Sequence, residues 1–147
     1  TANYLASEGV EYIRNLRDTY NLYEANGWQN FLDKLAVCKV ENKTGCYINP
    51  QNINFSNQTQ PMKALEVYAC VSGICPNFYF EPSLAVYKYN YTSGNNTSFS
   101  RKIFIQEVPT QNIQDREILI TSSVSFTTGR RSNTVTFKTY LKNWNEF

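Results

Sequence analysis

The first two dozen residues constrain the fold most. Ala2, Ala6, Gly9, Ile13, Leu16, Tyr20 and Tyr23 recur at alternating spacings of four and three, a narrow stripe along one side of a helix. The spacing predicts a helix from Ala2 to about Glu24, stopped at Asn26-Gly27 where glycine tolerates left-handed backbone. No capping box or staple stands ahead of Ala2, and there is no initiator Met. Residues 1–26 therefore read as the second half of a longer helix cut within the element, and any membrane anchor is expected to have gone with the first half. Glu11 with Arg14, and Arg14 with Asp18, add a few tenths of a kcal/mol on its exposed side.

Beyond this helix the pattern changes twice. Trp28 to Leu35 predicts a short second helix. Residues 27–82 then read as an irregular connecting region rich in Asn, Gln, Pro and Cys, with short β-like pieces at Val37–Val40, Tyr47–Ile48 and Val67–Val71. A connection of that length inside a compact domain is either functional or stapled. In residues 83–147 strands alternate with turns. Leu84–Tyr91 and Phe99–Val108 flank the turn Thr92–Thr97, and Glu117–Thr127 and Asn133–Leu141 flank the turn Thr128–Ser132. Ile118, Ile120, Val124 and Phe126 share one face, as do Val135, Phe137 and Leu141, while Ser, Thr and Lys take the other. That alternation predicts an antiparallel sheet packed on one side. With one long helix available to cover it, the expected class is α+β: a long N-terminal helix on an antiparallel sheet of about four strands.

Composition narrows the functional classes. The chain has 147 residues, enough for one domain with a real core, and only 18% are charged. A coat of Asn, Ser, Thr and Tyr suits an extracellular protein. No run of about 18 apolar residues spans a membrane and no signal peptide is visible. Net charge is +2, with six basic and eight acidic residues in 1–87 but eight basic and four acidic in 88–147. The absence of histidine removes His-dependent triads and His-ligated zinc, and no phosphate-loop, dinucleotide or EF-hand pattern occurs, so no enzyme, cofactor or metal site is expected. Cys38, Cys46, Cys70 and Cys75 lack zinc-ligand spacing, and their even number favours disulfides in an oxidising compartment. Three pairings are possible; Cys38–Cys46 with Cys70–Cys75 is favoured, because each closes a short, otherwise weakly supported loop.

Three strings then point to a family. Tyr4-Leu-Ala-Ser-Glu-Gly-Val-Glu-Tyr-Ile-Arg-Asn-Leu-Arg-Asp18 resembles the helix continuation of bacterial prepilin-type minor pilins, of the form LAxEGxExxRNxRD. Thr97-Ser-Phe-Ser-Arg-Lys-Ile-Phe-Ile105 is similar to their TxFxRxIxI strand. Val124-Ser-Phe and Thr134–Trp144 resemble their closing hairpin, which often ends in YLTNW. The strings cover both ends and one central strand, in the family's order. The resemblance implies a type IV pilin-like soluble domain over residues 1–147, a non-enzymatic minor pilin or pseudopilin of a pilus or related secretion filament. It implies extracellular location on the filament, inner-membrane anchoring before assembly, and other pilin subunits as partners through the N-terminal helix. The family's cleavage and methylation motif and the Glu near its mature N-terminus lie upstream of Thr1, so the domain as given is expected to be monomeric.

On that reading Ala2, Leu5, Ala6, Gly9, Ile13 and Leu16 are the candidate filament-packing residues. The small ones at the upper end would let helices of a bundle approach closely, whereas from Ile13 onward the chain's own core is the expected neighbour. Arg130, Arg131, Arg101 and Lys102, with Lys88 and Lys138 nearby and Tyr87, Tyr89 and Tyr91 among them, are candidates for ligand or DNA contact. Scattered solvating cations are the plainer explanation. Six Asn-x-Ser/Thr sequons, at Asn42, Asn54, Asn57, Asn90, Asn95 and Asn96, offer glycosylation of an ectodomain as a further alternative. Recognition is expected in 42–82 and the two turns, of a host surface, another pilin or DNA. A free-standing secreted binding domain is the rival reading.

Overall fold

The computed structural model describes residues 1–56, 60–112 and 115–144; the Asn57 sequon lies outside them. Helix α1 spans Ala2–Tyr23 and α2 spans Gly27–Lys34. Seven strands follow: β1 Cys46–Asn49, β2 Glu66–Ala69, β3 Asn77–Phe80, β4 Tyr89–Asn90, β5 Asn95–Glu107, β6 Glu117–Thr128 and β7 Arg131–Lys142. All belong to one antiparallel sheet. β5 is its centre. One of its edges pairs along its length with β6, and β6 with β7; the other is shared, β3 and then β4 following its first half and β1 and then β2 meeting it at Ile103.

The expected class, a long helix on about four strands, is therefore corrected. Among the described residues the molecule is sheet-rich, with seven strands and two α-helices, 39% strand against 29% helical once the 3₁₀ turns are included. The difference lies in residues 27–82, read as irregular, which supply β1, β2 and β3. Each is four residues long, too short for a period-two pattern to stand out, and each is recruited by pairing with a distant partner. The run Val37–Val40 forms 3₁₀ turns, and of Leu84–Tyr91 only Tyr89–Asn90 is strand. The second turn is tighter than expected: pairing continues to Thr128 and Arg131, leaving Gly129-Arg130 as a two-residue connection with Gly129 at φ 62°.

Gly27 likewise has another reason than a left-handed cap. It opens α2, and a Cβ there would sit 2.3 Å from the Tyr20 carbonyl oxygen, so glycine permits the close approach of the two helices. α1 buries Ala2, Leu5, Ala6, Gly9, Val10, Ile13 and Leu16. Opposite them stand the alternate residues of β5 and β6, so the core fills the space between helix and sheet.

Candidate interaction surface

The core is divided by a polar layer. Below it Ile13, Leu16, Phe31, Leu32, Leu35 and isoleucines of β1, β5 and β6 form an aliphatic cluster. Above it Ala2, Leu5, Ala6, Phe78 and Val124 are ringed by Tyr89, Tyr91, Phe99 and Phe126. Between them lie Gly9 of α1, Arg101 of β5 and Ser122 of β6. Arg101 is fully buried. It donates to the Leu5 carbonyl at 2.7 Å and to the Glu8 carboxylate at 3.0 Å, with its guanidinium 5.1 Å from the Phe78 ring centre and 5.9 Å from that of Tyr12. A Cβ on Gly9 would come within 2.7 Å of Ser122 Oγ and 2.9 Å of Arg101 Cδ. The glycine is what lets the arginine lie under the helix.

The sequence-expected sites distribute as follows. Cys38–Cys46 and Cys70–Cys75 are bonded, the favoured pairing. The first ties the turn after α2 to β1 inside the aliphatic cluster; the second closes the turn after β2. Ala2, Leu5, Ala6, Gly9, Ile13 and Leu16 are all buried against the chain's own sheet, so the stripe offered for filament packing is occupied internally. The helix presents Tyr4, Glu11, Asn15 and Leu22 to the outside instead. The four candidate cations do not converge. Arg101 is in the core, which removes it from any ligand-contact set. Lys102 points to the opposite face of β5, its methylenes covering Gly45. Arg130 and Arg131 are exposed at the β6–β7 turn. Tyr89 and Tyr91 pack on Phe78 and are core, not a stacking platform. Of the sequons, Asn90 is buried, its amide donating to Tyr87 O and Lys88 O and accepting from Thr92 N and Ser93 N.

Burial also sets the titration of tyrosines on both sides of the polar layer. Tyr91 is pushed up to about 12, chiefly by desolvation, which Arg101 partly offsets. Its hydroxyl lies within the field of Arg101 but makes no hydrogen bond of regular geometry. Desolvation raises Tyr12 as well, reinforced by the charge of Glu8. At the α1–α2 corner Glu24 is held below the usual carboxylate range by Lys63 and then Asn30.

Three surface cavities accompany these features. A tyrosine-lined one of about 410 Å³ lies between Tyr4, Val86, Tyr87, Lys88 and Tyr89, and Tyr87 stands there at φ 55°. A polar one of about 290 Å³ lies at the helix corner beside Glu24, Trp28, Arg116 and Asn143, and a third of about 320 Å³ adjoins Trp28, Glu107 and Arg116. Among the described residues no three His, Cys, Asp or Glu side chains converge as a metal site, and no helix is long and apolar enough to cross a membrane. The outer surface offers hydroxyls, amides and cations on the sheet. On its outer face Ser123 pairs with Thr136 at 3.0 Å and Ser125 with Thr134 at 3.2 Å.

Arg101 and Ser122 were missed as interior residues, yet the signal was present. Arg101 stands two residues from Phe99 and from Ile103, and Ser122 two from Ile120 and from Val124, so strand alternation places both on the apolar face. Comparison with family models, curated proteins and solved structures finds no match for this chain.

Proposed function

We propose that this chain is a non-enzymatic subunit of a surface filament, a minor pilin or pseudopilin of a type IV pilus or related secretion filament, acting outside the cytoplasm. The observation that carries the reading is how the two disulfides are used. Both brace the loop-rich flank that joins the helices to the sheet, one inside the aliphatic cluster and one buried beneath the turn of residues 71–74. Covalent bracing of that flank suits a protein kept in an oxidising compartment, whose loops must present a fixed surface to partners. The three pilin-like strings support the family. Subunit contacts of the helix fall on its outer side, at Tyr4, Glu11, Asn15 and Leu22.

One observation favours the rival, a free-standing secreted binding domain: the small-residue stripe is wholly buried in the chain's own core and leaves no helix groove open for a bundle. A single determination separates them. A prepilin peptidase site followed by about 20 apolar residues encoded upstream of Thr1 supports the filament subunit. An ordinary signal peptide ending just before Thr1 eliminates it. A DNA-contacting role rests on Arg130 and Arg131 once Arg101 is withdrawn. It requires binding that weakens steeply with salt and is lost in the Arg130→Ala/Arg131→Ala variant.

A further inference from the structure

The two sides of the sheet end differently. On one side the terminal strands are four and two residues long, β2 and β4, and the first runs into the Cys70–Cys75 turn. On the other, β7 runs for twelve residues, its pairing to β6 unbroken by a bulge and its sequence free of proline and glycine. Short strands and irregularities are how proteins blunt an edge; β7 has neither.

Which of its groups are free follows from one bond. Asn143 N donates to Arg116 O at 2.7 Å, in register with the ladder, so 116/143 is a hydrogen-bonded pair. Hydrogen-bonded pairs alternate along an antiparallel ladder. Leu141, Thr139, Phe137, Val135 and Asn133 therefore turn their N–H and C=O toward β6, and Ser132, Thr134, Thr136, Lys138 and Tyr140 turn theirs away. At the far end the Lys142 carbonyl, also outward, accepts from Arg17 at 2.9 Å, which closes the edge beyond Tyr140. Tyr140 O accepts from its neighbour Thr139 Oγ1 at 3.5 Å; otherwise, among the described residues, what remains open is a row of backbone donors and acceptors from Ser132 to Tyr140.

The side chains specify what fits beside it. From Ile118 to Trp144 the hairpin has no Asp or Glu, but carries Arg130, Arg131, Lys138 and Lys142. On the helix side Phe137 is 41% exposed, because no strand lies beyond it. We propose that β7 is a docking edge for an extended, acidic segment of a different polypeptide, which adds as an eighth strand with carboxylates beside Lys138 and an apolar side chain over Phe137. Backbone pairing supplies the affinity and alternate side chains the selectivity. A second copy of this chain is the disfavoured occupant, since it would bring four more cations and no anion to the junction. The lysines that deter self-pairing select the acidic strand.

The probe is the acetylated, amidated peptide Thr-Val-Glu-Val-Glu-Val-Glu-Val-Thr, with a control in which Lys replaces each Glu. Amide hydrogen exchange on the oxidised chain is the readout. Saturating acidic peptide should slow exchange at Thr134, Thr136 and Lys138 about tenfold or more, leaving Val135 and Phe137, already bonded to β6, unchanged. The lysine peptide should do nothing, and Lys138→Glu should reverse the preference. Thr136→Pro, which removes an outward donor and the side-chain bond to Ser123 but no backbone bond to β6, should abolish protection, whereas Thr136→Ala, which loses only the side-chain bond, should keep it; if the proline variant fails to fold, Lys138→Glu decides alone. Equal protection by both peptides, no protection by the acidic one, or protection that rises with protein concentration without peptide would each overturn the proposal.

Discussion

The two halves of the core solve the same problem by different means. The aliphatic half closes on itself: Ile13, Leu16, Phe31, Ile103 and Ile120 are completely buried and satisfied by shape alone. The aromatic half, above Gly9, is built around a charge. Arg101 reaches helix and rings at once, to the Leu5 carbonyl, the Glu8 carboxylate and the faces of Phe78 and Tyr12. Even so, its Nε and Nη2, with Ser122 Oγ, have no protein partner. The lesson concerns specificity. A greasy stripe lets a helix slide along a sheet by a turn at modest cost, whereas a buried arginine bonded to one carbonyl and one carboxylate admits one register, at the expense of desolvating a charge.

The strongest way to break this comparison is to truncate both halves. Arg101→Ala should cost about 3–5 kcal/mol, because Glu8 loses its partner and a void opens beneath Gly9. Ile13→Ala in the aliphatic half should cost about 2–5 kcal/mol. The halves should part with Arg101→Met, which refills the volume without the charge and should recover most of the loss, as buried ion pairs replaced by apolar side chains often do. Urea melts of the three variants measure this. If Arg101→Met is as unstable as Arg101→Ala, hydrogen-bond geometry and not volume holds the aromatic half.

Next in size are the disulfides. Cys38–Cys46 closes a separation of eight residues within the aliphatic cluster, and Cys70–Cys75 one of five at its margin. Constraint of the unfolded chain alone is worth about 2 kcal/mol for each, on the chain-entropy account. Removing either disturbs packing, since all four cysteines are buried, but Cys38 and Cys46 pack within the aliphatic cluster and Cys70 and Cys75 outside it. Paired Cys→Ala variants should lower the thermal midpoint more for Cys38/Cys46 than for Cys70/Cys75. The reverse order would mean that the turn after β2, more than the aliphatic cluster, depends on its staple.

A smaller effect tests the polar layer between the halves. Gly→Ala inside a helix ordinarily gains up to about 1 kcal/mol. Gly9→Ala should lose about 1–2 kcal/mol instead, because its Cβ meets Ser122 and Arg101, and overpacking a closed site is costly. In a Ser122→Gly background the clash with Oγ is gone, so the two changes should couple in a double-mutant cycle.

How far these features were legible in the sequence differs between the halves for a physical reason. The aliphatic half announced itself through periodicity, because Ile13 and Leu16 on the helix and Ile118 and Ile120 on β6 are long apolar runs at regular spacing. The cysteine pairing followed from loop economy. The short strands β1, β2 and β3 did not show, because four residues such as Asn77-Phe-Tyr-Phe80 acquire strand character only from partners far along the chain. Arg101 is hard to place from residue type, because arginine is almost never fully buried unless paired, although its alternation with Phe99 and Ile103 puts it on the inner face. The stripe of Ala2, Ala6 and Gly9 was legible as close packing, but spacing does not say whether the neighbour is another helix or, as here, an arginine and a serine of the chain's own sheet.

The finest effect should appear at alkaline pH, where the aromatic half can be probed through one residue. Tyr91 in the aromatic half is held neutral by burial, its pKa pushed up to about 12, whereas an unfolded tyrosine titrates near 10. Between those values the folded state binds the proton that the unfolded state has released, so stability falls as pH rises through the window and is unaffected below it. The loss should reach about 1 kcal/mol at pH 11. Tyr91→Phe removes this residue's share of the titration and leaves that of Tyr12 and Tyr20, which burial also raises. Since the Tyr91 hydroxyl has no hydrogen-bond partner, that variant should match or exceed the wild type at pH 7 and overtake it clearly by pH 11. Thermal midpoints of both proteins at pH 7, 9 and 11 give the answer. Parallel declines would mean that Tyr91 titrates alike in both states, and that this half of the core is more open to water than the packing of its rings implies.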